Sequence, residues 1–385
     1  MTHDLSKENK LLKSSIAKIA KEKIAPLAEE TDREAKFPWH TVKLLKQYDM
    51  FAVDFPEKYD GADMGLFSVC LIVEELAKVC ASSSVICCVH ELGSTPILIA
   101  GNEDQKQKYI PELASGDKLI AFALTEPGAG SDVSGIETTA VKSDHGYLIN
   151  GVKTFISHAD VADYIVVAVK TDTEIQPHKG ISMFIVEKDT PGLSIGKHEE
   201  KMGVRGSSTV EVIFKDVHVP TENRIGKEGE GFAIAMKTFD ITRIPVAAQA
   251  VGIGQGAFDA ALSFTKERKQ FGRPIFANQG IQWMLADMAA GLEAARQLTY
   301  KAANIFDGLP KNMDRLPKQA IRLSAMAKLV AAETAMRVTT DAVQLFGGYG
   351  FTKDYPVERM MRDAKITQIY EGTSQIQKLV IAQTF

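Results

Sequence analysis

Cysteine and histidine are scarce in this sequence, and neither forms a pattern typical of a metal or redox site. The 385 residues contain eight scattered histidines and four cysteines, Cys70, Cys80, Cys87 and Cys88, none of them in a C-x-x-C pair. A zinc site needs clustered ligands, so we expect no bound metal. Cys87 and Cys88 are adjacent in an apolar stretch, which favours small buried side chains in a reducing compartment.

Long apolar runs and blocks of like charge are also missing. No run of about 18 apolar residues occurs, so we expect no membrane span. Residues 1–6 lack the apolar core of a signal peptide, and Asp4 and Glu8 argue against a transit peptide. The net charge of −4, without a Lys/Arg block, argues against a nucleic-acid partner. We therefore expect a cytoplasmic protein, bacterial rather than from the mitochondrial matrix.

The composition that is present fits a globular protein of two or three domains. Hydrophobic residues make up 45% of the chain and charged residues 24%. The pattern reads as helical, then β-rich, then helical, and glycines at 226, 229 and 231 mark the second change. We predict an α+β multidomain fold with an N-terminal α-helical domain at 1–120, a middle β-barrel or sandwich domain at 121–228, and a C-terminal helical domain at 229–385.

Particular elements can be predicted within these domains. Apolar spacing predicts helices near 66–80 and 103–114, and Asn150-Gly151 is typical of a turn between strands. Ser374 with Gln377 fits a capping box that starts a helix. Short β-rich runs lie at 119–124, 147–149, 164–169, 181–186 and 210–214. One apolar stripe, ended by Gly347-Gly348, is predicted from Met326, Leu329, Val330, Met336, Val343 and Phe346.

Two glycine-containing segments could bind phosphate groups. The run Gly252-Ile253-Gly254-Gln255-Gly256 lacks G-x-G-x-x-G spacing and a preceding strand, so close helix packing is favoured over a dinucleotide loop. The run from Thr125 to Asp132, T-E-P-G-A-G-S-D, follows a β-like stretch. Its backbone N–H groups and hydroxyls could hold an anion, although a plain β-turn explains the same residues equally well.

Charged residues near the C-terminal half offer two further candidates. Glu371 precedes a glycine and a helix start, where a carboxylate can project into a cleft, but an ordinary exposed glutamate fits the pattern too. Arg268 to Pro274 ends a helix with cations, which could grip phosphates or could simply suit the helix dipole.

Five segments in order resemble the acyl-CoA dehydrogenase family, of the short- and medium-chain, butyryl-CoA dehydrogenase-like kind. They are T-E-P-G-A-G-S-D at 125–132, N-G-x-K-x-F-I-S at 150–157, E-R-K-x-F-G-R-P at 267–274, Q-L-F-G-G at 344–348 and I-Y-E-G-T-S at 369–374. The resemblance covers essentially the whole chain. It implies the acyl-CoA dehydrogenase fold, in which the C-terminal domain is a four-helix bundle, and FAD as cofactor.

The resemblance also assigns cofactor residues. FAD would lie between the β domain and the C-terminal helices, and its site would be shared between subunits of a homotetramer, a dimer of dimers. Many members have Trp where this chain has Phe155. The implied cofactor residues are Phe122, Leu124, Thr125, Ser131, Phe155, Ile156, Ser157, Arg268, Phe271, Gln279, Gln344, Gly348, Thr373 and Gln375.

For the substrate, the resemblance implies an acyl-CoA thioester whose α-proton is removed by Glu371. A thioester α-proton is weakly acidic, so a base and stabilisation of the enolate oxygen are needed together. Desolvation should raise the pKa of the base. A hydride would pass from the β-carbon to FAD, then electrons to an electron-transfer flavoprotein. Besides Glu371, the implied substrate residues are Ser131, Asp240, Thr242, Arg243, Tyr370, Gly372 and Glu91.

Glu91 would be an unusual carboxylate because the family resemblance puts His90-Glu91-Leu92-Gly93 near the acyl pocket. A solvent-facing glutamate at a helix end is the favoured interpretation, since Glu is rarely buried unpaired. The alternative is a polar, cyclic or aromatic acyl group, or a second proton-transfer site.

Three other functions are compatible with parts of this pattern. The same site could run backwards as an enoyl-CoA reductase, possibly with a bifurcating electron-transfer flavoprotein. An acyl-CoA oxidase is disfavoured by chain length, and a non-catalytic CoA-ester scaffold is disfavoured by the presence of Glu371 and the flavin residues.

Overall fold

The computed structural model describes residues 5–310, 313 and 315–385. Its N-terminal part is helical and contains a long apolar helix, α5, that is mostly buried among its neighbours although its length and composition would suit a membrane span. Pro26 breaks the first helix into a π turn and a 3₁₀ turn. The α-helices of this part are α1 (Lys7–Ile19), α2 (Ala28–Glu34), α3 (Trp39–Gln47), α4 (Leu66–Ala77), α5 (Ala81–Ala100) and α6 (Glu103–Ala114).

The middle part is one eight-stranded, mostly antiparallel sheet with the order β6-β7-β3-β2-β4-β5-β8, and β1 pairs in parallel with β4. The strands are β1 (Ile120–Ala123), β2 (Thr139–Ser143), β3 (Gly146–Ser157), β4 (Tyr164–Lys170), β5 (Ile181–Glu187), β6 (Leu193–His198), β7 (Thr209–Pro220) and β8 (Arg224–Ile225). Four of the five predicted β-rich runs lie within strands and the fifth, 119–124, contains β1, whereas β2, β6 and β8 were not predicted.

The predicted turn at Asn150-Gly151 is wrong, because both residues lie inside β3. The pairing of β3 with β7 shifts register between Ile149 and Gly151, which is a β-bulge. Gly151 has φ of 148°, and a Cβ there would meet the Thr138 side chain at 2.5 Å. Glycine at this position therefore serves a bulge and a close approach between strands rather than a chain reversal.

The C-terminal part is built on three long helices. Helix α7 contains the glycine run 252–256, and a Cβ on Gly252 or Gly256 would meet backbone oxygens at 2.3 and 2.1 Å. The prediction that these glycines allow close helix packing is confirmed. The elements are α7 (Gly231–Glu267), the hairpin β9 (Lys269–Gln270) and β10 (Arg273–Pro274), α8 (Gln279–Asp307), α9 (Lys318–Phe346), α10 (Pro356–Ile366) and α11 (Ser374–Gln383).

The buried face of α9 differs from the predicted stripe. Of the six residues predicted to form it, Phe346 is buried, Val330 is exposed and the other four are partly exposed. The face that packs against α7 and α8 is made of small residues instead: Ala320, Ala327, Ala331, Ala335 and Ala342 among others. Small side chains let the helix axes approach closely, and helical patterning of large residues alone does not reveal such a face. The helix does end before Gly347, as predicted.

All four cysteines are free and buried, and for Cys87 and Cys88 this confirms the prediction of small buried side chains. Three hydrophobic clusters form the core: one in the helices, one between β1, α6 and the start of α7, and one on the other face of the sheet. The second cluster joins the sheet to the helices where the candidate site lies. The exact domain boundaries at 120 and 228 stay a prediction.

Candidate active site

Glu371 lies in a tight loop between α10 and α11, held by side chains from two helices. It has φ of 50° and Gly372 has φ of 91°, so two consecutive residues adopt the left-handed region. Gln377 Nε2 donates to the carbonyl oxygens of Glu371 at 3.0 Å and Gly372 at 2.9 Å. Lys328 Nζ donates to the Gly372 oxygen at 2.7 Å. A non-glycine residue in this conformation is strained, and such strain is typical of functional sites.

The Glu371 carboxyl faces helix α7. Thr242 Oγ1 donates to Glu371 Oε2 at 2.8 Å. Burial raises the pKa of Glu371 to about 7, although the Thr242 hydrogen bond and the charges of Arg243 and Lys328 act to lower it. A carboxyl group with this pKa is poised to exchange a proton near neutral pH, as a general base must.

Arg243 supplies a buried cation beside Glu371. Its Nε donates to Phe239 O at 2.7 Å, and its Nη2 lies 3.1 Å from Asp240 Oδ1. Nη1 is buried and has no hydrogen-bond partner among the described residues. Burial raises the pKa of Asp240 to about 6 against the opposing effect of Arg243. Of the predicted substrate residues, the structure therefore brings Asp240, Thr242 and Arg243 together with Glu371.

Tyr370 anchors the other side of the loop. Its hydroxyl donates to Gln249 Oε1, and Gln249 Nε2 donates to Ser84 Oγ at 2.9 Å. Gln249 and Ser84 are fully buried on α7 and α5. Cys88, one turn along α5, is close enough for the charge of Glu371 to raise the pKa of its thiol further after the dominant effect of burial. Tyr370 thus ties the loop to α7 directly and, through Gln249, to α5.

The turn at 125–132 is fixed by a buried ion pair. Glu126 and Ala129 exchange two backbone hydrogen bonds across Pro127-Gly128. Lys153 Nζ lies 2.7 Å from Glu126 Oε1 and donates to Leu124 O at 3.0 Å, with both charged groups buried. Burial lowers the pKa of Lys153 to about 8.

Glu126 also receives two backbone hydrogen bonds. Glu137 N donates to its Oε2 at 2.5 Å, and Thr138 N to its Oε1 at 3.0 Å. Burial favours the neutral carboxyl, yet Lys153 and these hydrogen bonds hold the pKa of Glu126 below its usual value. The Glu126–Lys153 ion pair therefore fixes the turn to β3, and the turn is not an isolated β-turn.

The predicted flavin residues of β1, the turn and β3 differ in exposure: Ser131 and Phe155 are exposed, Thr125 and Ser157 are partly exposed, and Phe122, Leu124 and Ile156 are buried. Thr154 N donates to Thr125 O at 2.9 Å, which aligns the turn with β3. The Phe155 ring is 61% exposed, and its φ of 58° turns it out of the strand at a second bulge. A Cβ on Gly128 or Gly130 would meet no atom within 4 Å. An open glycine turn beside an exposed aromatic ring fits a flat cofactor such as FAD.

A cavity of about 390 Å³ lies beside this turn. It is lined by Ser131, Asp132, Val133, Ser134, His178, Phe232 and Met236, so the turn faces the start of α7 across it. Phe122, on β1, packs edge-to-face against Phe239 of α7 with ring centroids 5.8 Å apart. Ser131 is thus placed to contact a ligand that extends along α7 towards Asp240. Another cavity, lined by Lys108, Glu187 and Asn223, is on the β domain and contains no predicted site residue.

A third set of predicted cofactor residues lies at the far end of α7. Arg268 follows this helix and packs over the Tyr349 ring at 5.1 Å, and Phe271 is fully exposed. Gln279, Gln344 and Gly348 are exposed around them. Thr242 and Arg268 are 26 helical positions apart, which corresponds to about 39 Å at 1.5 Å per residue. The structure therefore does not bring this set to the turn at 125–132 of the same chain.

The predicted capping of helix α11 needs correction. Helix α11 begins at Ser374 as predicted, but the cap is Thr373, whose Oγ1 accepts from Ile376 N at 3.2 Å. The predicted capping box is wrong, because Ser374 donates to Glu333 and Gln377 turns back to the Glu371–Gly372 carbonyls. Thr373 is thereby fixed next to the site, whereas Gln375 is exposed.

Glu91 is not a solvent-facing residue at a helix end. It lies inside α5, its exposed fraction is 5%, and its Oε2 has no hydrogen-bond partner among the described residues. Burial, followed by the charges of Asp54 and Asp307, raises its pKa well above the usual value. The favoured interpretation from the sequence is therefore wrong.

Some residues that shape the site were not predicted. Glu126 and Lys153 belong to recognised motifs, but nothing in the spacing showed that they pair. Lys328 is the single charged residue in the apolar run Ala325–Val330, and this pattern could have indicated a buried residue with a functional role. The sequence predicted Gln377 only as part of the cap of helix α11. In the described part of the chain, no group of three or more His, Cys, Asp or Glu side chains is placed to hold a metal ion.

Comparison with known proteins identifies the family of this chain. Three family models match the chain: the N-terminal domain of acyl-CoA dehydrogenase at 6–117, the middle domain at 121–217 and the C-terminal domain at 229–385. The short-chain-specific acyl-CoA dehydrogenase of Clostridium acetobutylicum is 50% identical over 99% of both chains. The acryloyl-CoA reductase (NADH) of Anaerotignum propionicum is 45% identical over 100% of this chain and 95% of its own.

A solved structure reported for the electron-transferring flavoprotein of Acidaminococcus fermentans and flavin-based electron bifurcation contains a similar chain. It superposes with a TM-score of 0.95, is 46% identical, and covers 100% of this chain and 99% of its own. The family models together match most of the chain, and the relatives and the solved structure match nearly all of it. The protein belongs to the acyl-CoA dehydrogenase family of flavin-dependent oxidoreductases.

Proposed function

We propose that this protein removes two hydrogens from the α and β carbons of an acyl-CoA thioester and produces the trans-2-enoyl-CoA. The observation that carries the proposal is the Glu371 carboxyl, held by Thr242 at 2.8 Å in a strained loop, with its pKa raised to about 7 by burial. Such a group is ionised in part at neutral pH and basic enough to accept a proton from a weak carbon acid.

Glu371 contributes two functions through two different atoms. Its carboxylate takes the α-proton, and its backbone N–H, which donates to no acceptor within the described residues, is available for the thioester oxygen. Gln377 and Lys328 hold the two carbonyl groups of the loop, those of Glu371 and Gly372, before substrate arrives. As the α-proton leaves, the β-hydrogen departs with two electrons and the C=C bond forms.

FAD, when bound, supplies the acceptor for that hydride. Phe122, Leu124, Thr125, Ser131 and the segment 155–157 would hold it at the turn and strands described above, completed by Thr373 and Gln375. The set around Arg268 lies about 39 Å along α7 from Thr242. We infer that this set serves the cofactor site of a neighbouring subunit, which supports a homotetramer built as a dimer of dimers.

The acyl-CoA would enter along α7. Its polar arm would occupy the cavity of about 390 Å³ at Ser131, and its thioester would lie near Thr242, Arg243 and Glu371, with Tyr370 and Gly372 bordering the acyl group. The 50% sequence identity with a short-chain-specific acyl-CoA dehydrogenase supports a short acyl group. A cytoplasmic location, as in a bacterium, fits this metabolism.

We propose an electron-transfer flavoprotein as the electron partner. The support is the similar chain in the structure reported for such a flavoprotein. That same structure concerns electron bifurcation, and a 45% identical relative is a reductase. The second candidate function is therefore the reverse reaction, reduction of an enoyl-CoA, in which Glu371 would return a proton to the α-carbon.

Glu91 supports a narrower variant of the same chemistry. A buried carboxyl with an unpartnered oxygen in α5, the helix that also carries Cys88, could contact a polar, cyclic or aromatic acyl group. Replacing Glu91 with Gln should then change the preference among acyl-CoA esters. Equal rates of wild type and E91Q with straight-chain, cyclic and aromatic esters would contradict this variant.

The proposal can be tested by anaerobic flavin spectroscopy of the purified protein with saturated acyl-CoA and enoyl-CoA esters of graded size. We expect a short saturated ester to bleach the flavin band in the wild type and in Glu22→Gln, an exposed control. Glu371→Gln should reduce the bleaching rate by at least about 100-fold, the usual contribution of a general base.

The direction follows from the same experiment. Reoxidation of the reduced protein by an enoyl-CoA, with no bleaching by any saturated ester, would replace the dehydrogenase by the reductase. Bleaching that is equally fast in Glu371→Gln would show that another group is the base.

A further inference from the structure

Lys328 is an unusual residue for the middle of a packed helix. It lies in α9, its side chain is fully buried, and its neighbours in the sequence are Ala327 and Leu329. Burying an ammonium group is strongly unfavourable unless polar groups compensate it. Burial lowers the pKa of Lys328 to about 8, and the Glu371 charge partly offsets this effect.

Among the described residues, this ammonium group forms one hydrogen bond, and it goes to the loop that carries Glu371. Nζ donates to Gly372 O at 2.7 Å. Within the described residues it forms no ion pair with a carboxylate within 4 Å, and Glu371 and Glu333 act on it only at longer range. The Lys328 charge is therefore directed at a carbonyl next to the base rather than at a structural partner.

The loop has a second support that does not depend on Lys328. Gln377 Nε2 donates to the same Gly372 oxygen at 2.9 Å, and Ser374 Oγ donates to Glu333 of α9 at 2.7 Å. Removing the lysine would leave the Gly372 carbonyl with a donor. The loop alone does not require a buried charge, which points to an electrostatic role.

We propose that Lys328 is a positioning residue for the proposed dehydrogenation, whose ammonium group, directed at the Glu371–Gly372 loop, keeps the Glu371 carboxyl in its proton-accepting form. The inference rests on the proposed function of Glu371. Lys328 acts through that residue and has no assigned contact with substrate or cofactor.

The charged and titratable groups around Glu371 come from four elements. Arg243 of α7 and Lys328 of α9 favour the carboxylate, whereas Cys88 of α5 and the adjacent Tyr370 would oppose it only if they were ionised. Burial raises the pKa of both of these acids, so they stay neutral near pH 7. Arg243 is itself paired with Asp240, and the charge of Glu333 raises the pKa of Lys328.

Loss of the Lys328 charge should raise the pKa of Glu371 further from about 7. A rise of about one unit would lower the ionised fraction at pH 7 from about one half to about one tenth. The rate of flavin bleaching by substrate should then fall about fivefold at pH 7 and return close to the wild-type rate at pH 9. A residue that merely supports the loop would lower the rate equally at both pH values.

The test uses two uncharged variants and two controls in the FAD-loaded protein. Lys328→Met removes the donor and the charge, whereas Lys328→Gln can still donate to Gly372 O. Lys328→Arg keeps the charge. Lys318→Met makes the same change at an exposed position on the same helix. First-turnover bleaching is measured from pH 6 to pH 9 with saturating short-chain acyl-CoA, and the apparent substrate affinity is recorded separately.

We expect K328M and K328Q to move the pH profile upward without a matching loss of affinity, and K328R and K318M to keep the wild-type midpoint. An unchanged midpoint in both uncharged variants, or a loss of rate independent of pH, would overturn the proposal. So would failure of both uncharged variants to fold while K328R folds, because that outcome assigns Lys328 to stability.

A second readout does not depend on activity. At pH 7.5, between the pKa of Glu371 at about 7 and that of Lys328 at about 8, both groups are mostly charged, so K328M should lower the apparent melting temperature less in an E371Q background than in the wild type. Additive effects of the two substitutions would contradict an interaction between these groups. If no ester bleaches the wild type, the proposed function fails, and this melting comparison still decides whether Lys328 and Glu371 interact.

Discussion

Replacing Lys153 with methionine should destabilise the turn at 125–132 more than any exposed lysine substitution. Lys153 and Glu126 are 2.7 Å apart and both buried, and Lys153 also donates to Leu124 O. The substitution leaves the Glu126 carboxylate buried with only the backbone donors of residues 137 and 138. Breaking one partner of a buried pair typically costs about 3–5 kcal/mol. For a large domain this corresponds to a drop in melting temperature on the order of 5–10 °C.

Thermal denaturation and flavin fluorescence measure the two consequences. K153M should melt earlier and release FAD more readily, since the turn at 125–132 loses its staple to β3. Lys142→Met removes an exposed ion pair with Glu228 on the same sheet and should leave both properties close to wild type. Adding Glu126→Gln to K153M should recover part of the loss, because the unpaired buried charge is gone. If K153M matches K142M in both assays, the ion pair does not hold the turn.

Two further substitutions test the loop and the helix packing. Thr242→Val removes the hydrogen bond that lowers the pKa of Glu371, so the bleaching rate should begin to rise at a higher pH than in the wild type. An unshifted pH profile would show that this bond does not affect the pKa of the base. Gly252→Ala should lower the melting temperature, because the new Cβ would meet Glu74 O at 2.3 Å. Gly280→Ala is the control: its Cβ would meet no atom within 4 Å, so the melting temperature should stay unchanged or rise. Equal effects of the two substitutions would contradict close packing at Gly252.

The order of the three regions and most strands could be predicted from the sequence, because turn residues and β-branched runs act locally. The buried stripe of α9 could not, since its packing depends on alanines that let α7 approach, and alanine carries little hydrophobic signal. Gly151 illustrates the same limit: Asn-Gly is typical of a turn, yet pairing with β7 on a continuous strand places it in a bulge.

Within the site, the residue types of the loop and of the α7 face were predictable through the family motifs. The interactions that tune them were not. Burial, followed by the charges of Asp54 and Asp307, raises the pKa of Glu91, and both aspartates are far from it in the chain. Similarly, Lys328 and Gly372 are 44 residues apart. Spacing in the sequence gives no information on such contacts, although a lone charge within an apolar helical run does suggest that one exists.

The most direct test of the central claim is the pH dependence of first-turnover flavin bleaching by a saturated acyl-CoA, in the wild type and in Glu371→Gln. If Glu371 is the base, the wild-type rate should rise with pH through about 7 as its carboxyl loses a proton, and the variant should be slower by at least about 100-fold and lack this rise. A rise near pH 7 that persists in Glu371→Gln would contradict the assignment of Glu371 as the base.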